Sequence, residues 1–512
     1  MGTNLFQRML YKSFCVIFGL LYLWISYLCL TEGQIQPLDI TTVLSVTAVV
    51  SVICVLFYRF LYRREMRRMP GIGKKNRDML ILMMFFLLYF PLQVYIAVNM
   101  YSVPGTSWDF NVVAGHAMDY ARYQGETVSY RDVMSDSAAS YFSLWPNNIP
   151  LYLLLGKIFR LFAGADISLN AVGIGLNIVA IDIAIAFMYL SVRKATGTMA
   201  AAVVSLLLAL LHIPMLIYVP IYYTDTLTLP FPIIGFYLWL RVKESLGSEK
   251  TGLALVYTSV MAFLLGAGAI LKLSVIFFLI ASAVDGLLTM KLKKSLLIVA
   301  VLLIIGMTVY LAGYQLCLDS DMVVSDKEGC YIPKLHWVMM GLQGKGNYFD
   351  PDYQLTLSVP EEARDDLVRY MIRMRIENYG FSGMVKHLHA KIAFVWAEGT
   401  YYSSLKIERD RFAKCWLDRY VNWMGDRFVP YAEYCQGLLL INLLMFVVAA
   451  MSVAFNKPKR NQLVLVALIS IFGLFLFECL WEARSRYIFN YLPVFLTVTS
   501  TCAGNILNAR KK

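Results

Sequence analysis

The chain has 512 residues, 59% of them hydrophobic and 16% charged, with 46 Lys and Arg against 34 Asp and Glu for a net charge of +12. A soluble domain carries about a quarter charged residues, so a soluble globular protein is excluded, and windows of ~20 apolar residues following one another read as a polytopic helical membrane protein. The alternating ~10-residue pattern of a transmembrane barrel is absent, and the basic residues sit mostly in short loops, where they set orientation and do not point to nucleic acid.

Apolar segments fall near 13–30, 39–60, 79–100, 147–164, 168–191, 199–218, 226–242, 253–270, 272–289, 295–315, 433–454, 462–481 and 487–506. The first follows Arg8 and Lys12 and has no small-residue cleavage site behind it, so it reads as a retained helix and not a signal peptide. Between the second and third lie Arg59, Arg63, Arg64, Arg67, Arg68, Lys74, Lys75 and Arg77 against the single acid Glu65, the mark of a cytoplasmic loop. Arg193 and Lys194, then Arg241, Lys243 and Lys250, then Lys291, Lys293 and Lys294, then Lys457, Lys459 and Arg460, and the tail 510–512 read the same way. Counting crossings from both ends then leaves one segment too many. The short 147–164 segment opens on Pro146 and Pro150 and carries Lys157 and Arg160, so it reads as an interfacial or re-entrant helix. The expected fold is an all-α polytopic membrane protein of about twelve transmembrane helices, with juxtamembrane helices and an extracytoplasmic insertion.

Four regions follow. Residues 1–78 hold two helices and the basic loop. Residues 79–315 form a transmembrane core whose first outer loop is 101–148. Residues 316–432 form an outer and juxtamembrane region, and 433–512 the last helices. The 361–380 stretch reads as helix, and 386–402, aromatic with cations at one end, suits a helix lying at the lipid headgroups. Most of the nine cysteines lie in apolar segments as small buried side chains. Cys317 and Cys330 bracket a short polar run and could pair in an oxidising compartment.

The polar stretch 101–148 carries Trp108, Asp109, His116, Asp119, Glu126, Asp132 and Asp136 against Arg122 and Arg131. A carboxylate beside an aromatic ring at a helix exit is placed to deprotonate a hydroxyl at the membrane surface, which makes Asp109 the candidate general base. Asp is also a favoured N-cap, as is Ser107, and a capping role stands beside the catalytic one. Asp225 follows Tyr222, Tyr223 and Thr224 at an outer helix end, where it could contact a sugar or orient a cation, or cap the helix. Lys272 lies between two apolar helices, where a lysine is expensive unless it snorkels or pairs with an anion, and Gly266 and Gly268 before it permit close backbone approach. Arg484 and Arg486, flanked by Trp481 and Tyr487, could form a phosphate clamp, because the guanidinium fork matches phosphate oxygens; pairing with Glu482 as an interfacial anchor is the other reading.

Asp319-Ser320-Asp321 and Asp350-Pro351-Asp352 spell DxD but lack the nucleotide-binding context that gives the triplet meaning, and His387 and His389 lack a third metal ligand. The chain has no Walker A string, HExxH or GxSxG, which argues against an ATP-driven pump and the common hydrolases.

Together these stretches resemble the GT-C membrane glycosyltransferases. They are similar to the protein O-mannosyltransferases and the aminoarabinose transferases, and more closely to their Gram-positive bacterial relatives. The resemblance rests on Trp108-Asp109, the Pro-containing 141–155, Tyr223-Thr224-Asp225, Leu271-Lys272-Leu273 and 484–487, with 340–348 and 397–401. It implies an enzyme of the plasma membrane whose outward-facing site moves a sugar from a polyprenyl-phosphate donor to an extracytoplasmic glycan, lipid or protein. It further implies Asp109 as base, Asp225 as a second acidic residue beside Tyr223, and Lys272, Arg484 and Arg486 on the donor phosphate. The mannosyltransferases pair two acids after their first helix. Here Phe110 follows Asp109, and Asp119 is the remaining candidate for the second. No soluble cofactor is required, and a divalent metal is compatible with the reading. Two other classes share the features: a transporter or flippase of lipid-linked glycans, for which matched halves with interrupted helices would be expected, and a polysaccharide polymerase or ligase, in which the outer loop would be central and Asp109 dispensable.

Overall fold

A computed structural model describes residues 5–32, 38–66, 74–103, 105, 108–123, 128–409, 411–455 and 459–509. Arg67, Arg68, Ser107, Glu126, Lys457 and the 510–512 tail lie outside them, as do the side chains of Lys74, Lys75 and Lys459. The described residues are helical throughout, apart from connecting loops and an isolated antiparallel bridge between Ser102 and Arg411. In lipid a backbone must satisfy itself, and an apolar run does so only as a helix. Among the described residues eight helices are long and apolar enough to cross a membrane: Leu5–Thr31, Ile40–Met66, Asn76–Met100, Leu169–Thr196, Thr251–Leu271, Leu292–Leu318, Phe428–Ala454 and Arg460–Leu480.

The remaining apolar segments are shorter or interrupted. The 199–218 run breaks at His212 into Met199–Leu211 and Ile213–Ile217, with Pro214 just beyond the break. The 226–242 run divides into Thr224–Leu227 and Pro230–Gly247. The last run starts as a 3-10 helix, Ser485–Tyr491, before Leu492–Ala509. The 147–164 segment is the 14-residue helix Ile149–Phe162. At 1.5 Å per residue it is about 21 Å long, too short for a hydrocarbon core of ~30 Å.

Peripheral helices bury a narrow stripe and expose the rest. In Ile40–Met66 only Val43, Val50 and Tyr58 are buried, while Val49, Val52, Ile53 and Leu56 face outward. Phe428–Ala454 and Leu492–Ala509 are buried along most of their length and form the centre. Thr251–Leu271 approaches Leu292–Leu318 so closely that a side chain at Gly266 would meet the Gly306 carbonyl at 2.6 Å. Gly268 lies equally tight against the Phe231 ring, at 2.5 Å. These two contacts hold the end of the helix, and Lys272 is the residue just past it.

Ion pairs mark one end of the bundle. Arg193 lies 3.2 Å from Asp78 and 3.5 Å from Glu65, and Lys194 lies 2.6 Å from Glu244. Glu65 also accepts the Met199 and Ala200 backbone N–H groups, at 2.9 and 3.2 Å, capping that helix start. Of the basic connections read from the sequence, Arg241 sits at this end 3.2 Å from Glu244, and Arg460 donates to the Thr196 carbonyl. Residues 316–432 cover the opposite end. There Asp352 of the second DxD is buried and pairs with Arg375 at 2.6 Å, a structural contact.

Two expectations are corrected. The 386–402 stretch does not lie along the surface. Its first part, 386–396, is the end of the helix Arg364–Trp396, which bends at Gly380 (φ 53°), and 397–402 continue as a loop; from Lys391 onward the stretch is largely buried, with Trp396 packed on Tyr22 and Phe495. Burying two aromatic turns in the bundle removes more apolar surface from water than an interfacial position would. Cys317 and Cys330 are both free thiols, as are the other cysteines. His387 and His389 also part company: His387 contacts the Gly341 and Gly344 carbonyls, whereas His389 lies 2.5 Å from Glu32.

Candidate functional site

Asp109 is the first residue of the helix Asp109–Arg122, and that helix has no side-chain cap: its N-cap is Trp108. The carboxylate is turned elsewhere. Its Oδ1 accepts from the Tyr141 hydroxyl at 3.0 Å, and its Oδ2 lies 4.0 Å from Arg486. Tyr141 in turn accepts from Asn148 Nδ2 at 2.7 Å, and Asn148 Oδ1 accepts from the Tyr223 hydroxyl at 2.7 Å. This chain of hydrogen bonds fixes the carboxylate rotamer while leaving its side chain 33% exposed. Burial, then the charges of Asp109 and Tyr223, push the Tyr141 phenol far above its ordinary value, so it stays a donor.

Asp225 lies in the one-turn helix Thr224–Leu227, whose entry is held by the Tyr223 N–H donating to the Thr226 hydroxyl at 3.3 Å. Its carboxylate is 2% exposed and lies between two cations, forming an ion pair with Lys272 and accepting from Arg486 Nη1 at 3.1 Å. Burial raises its pKa, but Lys272 and Arg486 more than offset that and hold the carboxyl below the usual range. Both carboxylates therefore meet at Arg486, whose guanidinium also lies over the rings of Trp108, Tyr223 and Tyr487 at 5.9, 5.7 and 4.9 Å.

Arg484 donates to the Tyr402 hydroxyl and lies 3.6 Å from Glu482. Glu482 is buried and also accepts from the Tyr487 hydroxyl at 2.6 Å and the Tyr348 N–H at 3.0 Å. Of the residues read from the sequence, Asp109, Tyr223, Asp225, Lys272, Arg484 and Arg486 thus form one connected cluster. Asp119 does not join it. Ten residues further along the same helix, it is about 15 Å away by helical rise, and its side chain is 60% exposed beside His116 at 3.7 Å.

One part of the cluster was not anticipated, the loop 397–406. Glu398 Oε1 accepts from the Thr400 N–H at 2.8 Å and from its hydroxyl; Oε2 accepts from the Tyr402 N–H and Ser485 Oγ, each at 2.6 Å. Tyr401 and Tyr402 both adopt positive φ, 51° and 62°, a conformation that costs on the order of 1–3 kcal/mol each for non-glycine residues. The Tyr218 hydroxyl pins the Tyr401 carbonyl at 2.6 Å. The loop delivers Lys406, whose ammonium lies 4.0 Å from the centroid of the Trp108 ring. The sequence marks 397–401 as part of a resemblance and as the end of the 386–402 stretch expected at the lipid headgroups, and neither reading places it beside Asp109. Lys406 heads the mixed-charge run KIERDR, where one more lysine gives no signal.

Among the described residues no group of three or more His, Cys, Asp or Glu side chains is arranged to hold a metal ion. Fold and site define a class: an all-helical integral membrane protein with two carboxylates, several cations and an aromatic wall gathered at one end of the bundle. The chain belongs to a family described as conserved hypothetical integral membrane protein, whose model matches residues 3–505. No curated protein matches the sequence.

Proposed function

We propose that the protein is a membrane glycosyltransferase of GT-C type, transferring a sugar from a polyprenyl-phosphate donor to an extracytoplasmic acceptor with inversion. The observation that carries this reading is the meeting of Asp109 and Asp225 at Arg486, beside Arg484. A partly exposed carboxylate with a fixed rotamer stands next to a concentration of positive charge, as a displacement with an anionic leaving group requires. Asp109 takes the proton of the acceptor hydroxyl as its oxygen bonds to the anomeric carbon. The bond from that carbon to the phosphate oxygen breaks, and the electron pair leaves with the phosphate. Arg484 and Arg486 stabilise the charge that develops there, while Lys272 secures Asp225 behind Arg486.

The same reading gives the chain twelve crossings. The eight long helices are joined by 199–217, which breaks at His212, and by Pro230–Gly247, Leu273–Thr289 and Leu492–Ala509. Ile149–Phe162 then lies at the interface. With the Arg193 and Lys194 end in the cytoplasm, the carboxylate site opens outside, where nucleotide sugars are absent and a lipid-carried donor is needed.

The test is deletion of the gene, with surface glycans compared by mass spectrometry and linkage analysis, and complementation by wild type or Asp109→Asn at equal membrane levels. One sugar substituent should vanish and return only with wild type. In vitro, Asp109→Asn should lower transfer by about 10²–10⁴-fold. Full restoration by Asp109→Asn would remove Asp109 as the base and favour a transporter or polymerase.

A further inference from the structure

Charge is unevenly balanced across the cluster. Lys272 and Arg486 share the Asp225 carboxylate, and Arg484 stands near Glu482. Lys406 differs from all three. It is 7% exposed, and its ammonium lies 4.0 Å from the centroid of Trp108 and 5.7 Å from that of Tyr402. No described carboxylate comes within ion-pair distance of it. An ammonium taken out of water with no carboxylate in contact is costly, and the backbone that carries it there is itself strained at Tyr401 and Tyr402. Glu398 holds that backbone and, through Ser485, sets it in register with Arg484 and Arg486. The Tyr402 hydroxyl accepts from Arg484, which leaves its own proton free to be donated.

We infer that Lys406, Arg484 and the Tyr402 hydroxyl form a cradle for one phosphate group, floored by Trp108, and that Lys272 is a positioning residue for Asp225 and not a phosphate contact. Two cations and a hydroxyl donor converge where Tyr402 and Arg484 are partly exposed, which gives the ligand a way in. The inference relies on the proposed transferase only for what carries the phosphate, the polyprenyl chain of the donor. The cradle itself stands on the cluster's geometry.

The experiment is calorimetric titration of the purified full-length protein in detergent with farnesyl phosphate and, separately, inorganic phosphate, each variant also being melted without ligand. Loss of a charge-assisted contact predicts that Lys406→Met weakens farnesyl phosphate binding about tenfold or more, with a melting temperature equal to or above wild type. Lys406→Arg should retain affinity. Lys272→Met should hold affinity within about threefold while melting earlier. Unchanged affinity in Lys406→Met would overturn the proposal. So would a fall in its melting temperature alongside affinity, the pattern of a lysine that merely packs, or an equal loss of affinity in Lys272→Met. If inorganic phosphate binds as tightly as farnesyl phosphate, the cradle stands and the lipid carrier does not. If phosphate binds but deletion of the gene changes no surface sugar, the cradle again stands and the transferase reading falls.

Discussion

At the scale of single residues, the Asp225 carboxylate depends on two cations drawn from distant parts of the chain. Removing one partner of a buried ion pair strands the other and costs about 3–5 kcal/mol, so Lys272→Met and Asp225→Asn should each lower the melting temperature clearly. The double variant should lose less than the sum of the two, which a double-mutant cycle measures. Lys406 gives the opposite sign. Burial, then Arg486 and Arg409, push its pKa well below the usual lysine value; Asp109 pulls it back and Arg484 adds to the depression. Unfolding restores the ordinary value, so the charged form costs stability below the lowered pKa, and that penalty eases as pH rises toward the unfolded pKa. The melting-temperature gap between Lys406→Met and wild type should therefore narrow with rising pH. Phosphate affinity, which needs the cation, should fall over the same interval and stay flat in Lys406→Arg.

The residues that sequence inspection found are those whose polarity contrasts with apolar or aromatic neighbours. Asp109 after Trp108, Asp225 after two tyrosines and Lys272 between two apolar runs announce themselves. Lys406 and Glu398 do not, because their roles come from where a strained loop places them and not from contrast. Asp119 was the remaining candidate for a second acid beside Asp109, but the helix Asp109–Arg122 carries it out of reach.

At the scale of elements, the 397–406 loop is held from several sides, and Gly399 shows how closely. A side chain there would meet the Cys435 backbone at 2.5 Å, and the Gly399 N–H donates to Gln436 Oε1 at 2.9 Å. Gly399→Ala should push the loop off Phe428–Ala454, weakening phosphate binding about tenfold and lowering the melting temperature, both read in the titration described above. Helix positions were legible from hydropathy because the lipid-facing and buried runs are long. The break at His212 was not, since LLLALLHIPMLIYV is apolar on both sides and only the single Pro214 marks the discontinuity. The 386–402 stretch was misplaced for a related reason: an amphipathic pattern does not say whether the apolar face meets lipid or protein.

At the scale of the whole molecule, topology is the claim most open to direct test. Periplasmic-type phosphatase reporters fused after Lys250 or Lys294 should be inactive, and one fused after Glu328 active, if the carboxylate site lies outside. Activity at the first two positions would invert the orientation and with it the need for a lipid-carried donor.

The cluster draws on residues from Trp108 to Tyr487, and Lys406, Arg484 and Arg486 come late in the chain. During synthesis the loop that carries Asp109 leaves the ribosome long before any of these cations. A nascent or truncated protein thus carries that carboxylate without Arg486, the residue at which it meets Asp225. The cluster closes only when the final hairpin packs, so under the proposed transferase reading an incompletely inserted chain would have no means of handing activated sugar to water.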